Sequence, residues 1–272
     1  TNGDAAIKLA QASNQSDEPS VVAAIKNLQD IMTAAATDTN TALTKDITSA
    51  IAALQTAEET AQANQEQART DAQTTLDQTA PVSNEAAVAD AISNLQKLLD
   101  DPKSTAKEIA DATTALTTAV ADANEKRDAA NTAADQAVAD VPSELTSEPT
   151  VAAAEQALKQ LQDAAAADQS DALTADIEAA TKALQDAAPT ADQARDTARD
   201  AATDLLTQTA PLSNEAKVAS AKDALQKLLD DPTSTTAAIE NATAALRDAL
   251  RADGADRNAA NTAGTSLVDL VK

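Results

Sequence analysis

The sequence predicts an all-α protein: a tandem array of about four three-helix bundles, joined by long shared helices into an elongated rod. Three observations predict it. Apolar residues fall on one side of a period of about 3.6 residues and never alternate as in a strand. Two stretches, Ala42 to about Gln78 and Lys103 to Val141, hold neither Pro nor Gly and are too long for one helix of a small bundle. The chain also repeats itself at one constant offset: Gln78–Ala86 returns as Gln208–Ala216, Leu95–Pro102 as Leu225–Pro232, and Arg127 with Asn131 as Arg257 with Asn261. A fixed offset marks like structural units in series.

A finer repeat lies inside the long one. Leu28, Leu95, Leu161 and Leu225 mark one helix of each repeat, and Val21, Val88, Ala154 and Val218 stand two helical turns before them. Ile47, Ile109, Ile177 and Ile239 mark the next helix, each two turns before Leu54, Leu116, Leu184 and Leu246. The expected repeats are residues 1–65, 66–130, 131–194 and 195–254, and residues 255–272 read as the first helix of a truncated further one. Repeats two and four have equal spans between the two markers, Leu95 to Ile109 and Leu225 to Ile239, each through an Asp-Asp-Pro turn. Repeats one and three have longer spans, Leu28 to Ile47 and Leu161 to Ile177, through Ala- and Asp-rich links such as Ala164–Asp171.

Within the repeats, each element has its own signal. Pro19, Pro81, Pro149 and Pro211 sit just before or within the first turn of the second helix, where a missing N–H costs least. Ser83 and Ser213 are the expected N-caps after Pro81 and Pro211. Val88, Ala91, Ile92, Leu95, Leu98 and Leu99 form one apolar stripe; Ile109, Ala112, Thr113, Leu116, Ala119 and Val120 form the next. Pro102 and Pro232 lie in the tight link between these helices, and Thr105 with Glu108 forms a capping box at the start of the third helix of repeat two. Junctions near Glu59 and Ala121 are expected to be helical and unbroken. Pro189 predicts a kink or short break, and Gly254 is the other weak junction. At 1.5 Å per residue a shared helix is roughly 50 Å long, and the rod is on the order of 150–200 Å. Ala fills many inward positions, so each bundle buries little area and leans on its neighbours.

Composition excludes several function classes. The 272 residues contain no Phe, Trp, Tyr, His or Cys, and Gly occurs at three positions only. The usual proton shuttle, thiol nucleophile, soft metal ligands and base-stacking rings are all missing, so no enzyme activity, catalytic residue or cofactor is expected. A net charge of −24 argues against nucleic acid and against an anionic membrane surface. No apolar run is long enough to span a bilayer. The sequence starts at Thr1 without a signal peptide or sorting motif, which reads as a piece excised from a longer protein.

The acidic pairs Asp100-Asp101 and Asp230-Asp231 lack the liganding spacing of an EF-hand loop and read as turns rather than Ca²⁺ sites; Asp253–Asn258 fails the same test. Arg127/Asn131 and Arg257/Asn261 read as a structural feature of the first helix rather than a contact patch. No Thr array of regular period marks an ice-binding face. The metal and ligand-binding residues are thus, respectively, none and unknown.

Val88 to Asn124 and Val218 to Leu250 carry a Leu-Leu-x-x-Pro turn followed by Ile-x-x-Ala-x-x-x-Leu. This pattern resembles the FIVAR repeat of Gram-positive cell-wall proteins, including giant extracellular-matrix-binding adhesins. Repeats one and three share only the helix stripes. The resemblance implies a surface-exposed helical repeat, associated with adhesion to matrix proteins or sugars. The expected function is a monomeric stalk or spacer of a bacterial surface adhesin, extracellular and wall-attached, projecting a binding head. The alternative is that the repeats themselves bind a host matrix protein or glycan with low per-unit affinity. A remote alternative is a helical desiccation-protection protein.

Overall fold

The computed structural model describes residues 2–12, 17–37, 42–167, 173–209 and 215–270. Among them the chain is all-α, with no strand. The helices are α1 (Asn2–Ala12), α2 (Pro19–Thr37), α3 (Ala42–Asp77), α4 (Ala86–Asp100), α5 (Ala106–Ala139), α6 (Pro149–Ala166), α7 (Thr174–Thr209), α8 (Ala216–Asp230) and α9 (Thr236–Leu270). A 3-10 turn, Ala80–Val82, precedes α4.

The stretches without Pro or Gly become α3 and α5, of 36 and 34 residues, and both run unbroken past Glu59 and Ala121. Pro19 and Pro149 are the first residues of α2 and α6. The Thr105–Glu108 capping box forms as predicted: the Thr105 N–H donates to Glu108 Oε2 at 2.8 Å, and the Glu108 N–H donates back to Thr105 Oγ1 at 3.2 Å.

Four expectations change. No break occurs at Pro189, because α7 continues through it. Leu184 before it and Ala191 after it are both buried, so packing on either side holds the helix across the missing N–H. Gly254 likewise lies inside α9, whose 35 residues run past the expected boundary. Glycine weakens a helix without blocking it, and nothing stands within 4 Å of where its Cβ would be. Ser83 does not cap α4. It closes the 3-10 turn with helical φ −62° and ψ −22°, and the N-cap is Glu85, extended at φ −63° and ψ 129°. Pro81 inside that turn moves the helix start beyond the expected cap. Pro211 and Ser213 lie outside the described residues. Finally, α6 buries Val151 and Leu158 completely, whereas Ala154 and Leu161 are only partly covered. Val151 and Leu158 follow Val21 and Leu28 at the offset of the long repeat, and the interval from Leu158 to Ile177 equals that from Leu28 to Ile47. With this register the long period covers the first and third repeats as well as the second and fourth.

The chain forms two compact units, Thr1–Ala129 with Ala164–Thr174, and Ala130–Asp163 with Ala175–Lys272. The first holds two apolar clusters. One joins α1, α2 and the first half of α3 around Val21, Leu28, Ile47 and Leu54. The other joins the second half of α3 to α4 and the first half of α5 around Ala72, Val88, Leu95, Ile109 and Leu116. The second unit holds the cluster of Ala202, Val218, Leu225, Ile239 and Leu246, from α7, α8 and α9. It also buries Ala134 and Ala137 of α5, Val151 and Leu158 of α6, and Ile177 and Leu184 of α7.

Candidate functional site

The feature that recurs most regularly is a glutamate. Glu18, Glu85, Glu148 and Glu215 each stand immediately before α2, α4, α6 and α8, and each offers its carbonyl oxygen to the first intrahelical bond, from Val22, Ala89, Ala152 and Ala219. That is the N-cap position, which favours short side chains able to fold back on their own helix. Glutamate is too long for this role, and neither Glu85 nor Glu215 caps its own helix through the side chain.

Three of the carboxylates cap a different helix instead. Glu18 Oε1 accepts the N–H of Ala106, the first residue of α5, 88 residues further on. Glu85 Oε1 accepts both the N–H and the hydroxyl of Thr174, the first residue of α7, at 2.7 Å each. Glu148 Oε1 accepts the N–H and hydroxyl of Thr236, the first residue of α9, at 2.6 and 2.8 Å. The first turn of a helix has N–H groups without intrahelical partners and carries partial positive charge, so a carboxylate placed there satisfies both. Each of these contacts lies within one compact unit.

At Glu85 the clasp has a further member. Arg127 Nη2 donates to Glu85 Oε1 at 3.0 Å and Nη1 to the Pro81 carbonyl at 2.7 Å. The two side chains are 7% and 18% exposed. Burial pushes the Glu85 carboxyl up, but the Thr174 N–H, the Thr174 hydroxyl and Arg127 together outweigh it and hold the group below its ordinary value. The repeated Arg127 is thus a structural element of the clasp.

The acidic turns are occupied by local bonds. Asp101 Oδ1 accepts the Lys103 N–H at 2.8 Å, and Asp231 Oδ1 accepts the N–H and hydroxyl of Thr233 at 2.8 and 2.7 Å. Those two donors hold the Asp231 carboxyl below its ordinary value. Arginines of the long helices cover the carbonyl ends of the short helices that follow them and their turns: Arg69 of α3 reaches Leu99 and Asp101, Arg199 of α7 reaches Leu229, and Arg195 of α7 reaches Pro232. Cations at a helix C-terminus complement its partial negative charge. Among the described residues no group of three acidic side chains could hold a metal ion, and Asp253 is engaged with Arg257 Nε at 3.0 Å.

Two shallow grooves repeat at the same offset as the sequence. One is lined by Gln73, Leu76, Gln96 and Leu99, the other by Thr203, Leu206, Gln226 and Leu229. A third cleft of about 340 Å³ lies between Val141, Leu145, Leu184 and Pro189.

The glutamate series was absent from the sequence expectations. Its signal was available: Glu18-Pro19 and Glu148-Pro149 are related by the long period, as are Glu85 and Glu215, and all four precede the second helix. What the sequence does not display is the far partner, a helix start 88 or 89 residues away. No protein-family model matches this chain, and no curated protein or solved structure matches it either.

Proposed function

We propose that this chain is a structural spacer: four helical repeats in series, forming the stalk of a bacterial cell-surface adhesin that holds a binding head away from the cell wall. On this reading the repeats are of two alternating types, residues 1–65 and 131–194 of one and 66–130 and 195–254 of the other. The observation that carries the proposal is the clasp series. In this division each of Glu18, Glu85 and Glu148 belongs to one repeat and binds the start of a helix in the next. Such joints fix neighbours in a linear array and serve no chemistry of their own. The long helices α3, α5 and α7, which cross the proposed boundaries unbroken, support the same reading. The resemblance of residues 88–124 and 218–250 to FIVAR repeats supplies the surface-adhesin context. No enzyme activity belongs to this proposal.

Small-angle X-ray scattering tests it. A monomeric rod gives a maximum dimension on the order of 150–200 Å; a particle of globular dimensions sinks the spacer reading. A second reading is that the repeats themselves bind a matrix protein or glycan, and the recurring groove favours it. Similar weak sites in series gain strength through avidity. Titrating the chain against matrix proteins and glycans separates the two, because a pure spacer binds none of them.

A further inference from the structure

One member of the glutamate series has no helix to cap among the described residues. Glu215 and Arg257 are the counterparts of Glu85 and Arg127 in the long repeat and are the same pair in sequence. Their separation is 3.9 Å rather than 3.0 Å, and their side chains are 55% and 49% exposed rather than 18% and 7%. The difference extends along the helix that carries the arginine. Arg127, Ala130 and Ala134 of α5 are buried, and the α6 residue Gln162 donates to Asp135 Oδ1 at 2.8 Å. At the matching positions of α9, Arg257 and Ala260 are exposed. The same surface is therefore covered on one copy of the period and open on the other.

We infer that Glu215, Arg257 and the Ala260 face of α9 are a receiving surface for a further helical repeat built like residues 143–209, whose second helix begins with a Thr that Glu215 caps. The covered copy specifies the occupant's chemistry. It needs a helix like α6 to lie along the face, and a helix start with a free N–H and hydroxyl like Thr174 to meet the carboxylate. A helix N-terminus is positive where Glu215 is negative. The inference rests on the spacer reading and names the partner of its joint, namely another repeat.

The test appends a second copy of residues 143–209 directly after Lys272, which continues the long period without insertion. Amide hydrogen exchange is then followed from Arg257 to Ser266 in the original and the extended chain. The extended chain is expected to exchange there about 100-fold more slowly, and Glu215→Gln in that chain to return about tenfold or more of the protection. In the original chain Glu215→Gln is expected to change exchange less than about twofold. Unchanged exchange in an extended chain whose circular dichroism shows the added helix overturns the inference. So does an appended unit that stays unfolded while its sequence twin folds in the same molecule. Equal effects of Glu215→Gln in both chains overturn the clasp. Concentration-dependent protection of the original chain shows self-association at this face instead and also overturns the inference. Scattering on the same samples judges the spacer reading separately, since a compact extended particle defeats that reading and leaves the exchange result standing.

Discussion

Glu85→Ala tests the clasp at the member that also holds an arginine. The substitution removes one charged acceptor that serves three donors: the Thr174 N–H, the Thr174 hydroxyl and Arg127 Nη2. Hydrogen bonds to a charged group contribute about 1.5–3 kcal/mol each, but bonds sharing one atom do not add. Stripping the partner from a buried ion costs about 3–5 kcal/mol. Arg127 keeps its bond to the Pro81 carbonyl, and Glu85 is 18% exposed, so the lower end applies. The expected destabilisation is about 3 kcal/mol. Glu85→Gln keeps an acceptor and loses only the charge, so about 1–2 kcal/mol is expected. The built-in control is Glu215→Ala at the equivalent position, where an exposed pair is worth no more than about 0.5 kcal/mol. Urea unfolding by circular dichroism gives the magnitudes, and hydrogen exchange at Thr174–Ile177 locates the loss. Equal costs at Glu85 and Glu215, or no change in exchange at the start of α7, would refute the reasoning.

The clasp also carries a pH dependence of known sign. The folded-state pKa of Glu85 is lowered, because the bonds to the carboxylate outweigh burial. Its contribution is therefore fully present above the ordinary carboxylate value, and it is lost as pH falls through the lowered folded value. Stability of the original chain minus that of Glu85→Gln should shrink as the solution is acidified and be constant at neutral pH.

The remaining predictions concern the corrected elements. Leu158→Ala should destabilise by about 2–5 kcal/mol and Leu161→Ala by clearly less, measured by urea midpoint, since only Leu158 is fully buried; the reverse order would restore the original register. Pro189→Ala should stabilise the protein by about 1–3 kcal/mol by returning an N–H to the interior of α7. A lower melting temperature would mean that the ring's contacts in the cleft with Leu145 and Leu184 outweigh the missing bond. Gly254→Ala should add about 0.5–1 kcal/mol, because the position is helical and its Cβ meets nothing within 4 Å; a destabilised variant would contradict the helix there.

The fold class was legible because helical periodicity survives even when the apolar residue is mostly Ala. The capping box at Thr105 and Glu108 was legible for a related reason: its two halves are one helical turn apart, and local chemistry is written in local sequence. The third repeat was misregistered because α6 offers two apolar pairs with the same spacing, Val151 with Leu158 and Ala154 with Leu161. Periodicity alone cannot choose between them. The flanking Glu148-Pro149, matched to Glu18-Pro19, does choose, since it fixes where the helix begins. Pro189 misled in the opposite direction. A local rule predicted a break, and burial of Leu184 and Ala191 on either side overrode it.

The clasp and the composition of the core belong to one argument. Among the described residues the fully buried large side chains are only Leu and Ile, and the rest of the apolar core is Val and Ala. Ala lets helices approach closely but removes little apolar area from water, and apolar contact is non-directional. Such an interior stabilises helices against one another without strongly fixing which turn meets which. A carboxylate that must meet one particular N–H does fix it. The three occupied clasps therefore add the positional information that a small, smooth core lacks. They do so between elements 88 or 89 residues apart, which is the range over which a shared helix alone leaves rotation about its axis unspecified. On this view the joint at Glu85 is reinforced further, because Arg127 pairs with the same carboxylate that caps α7.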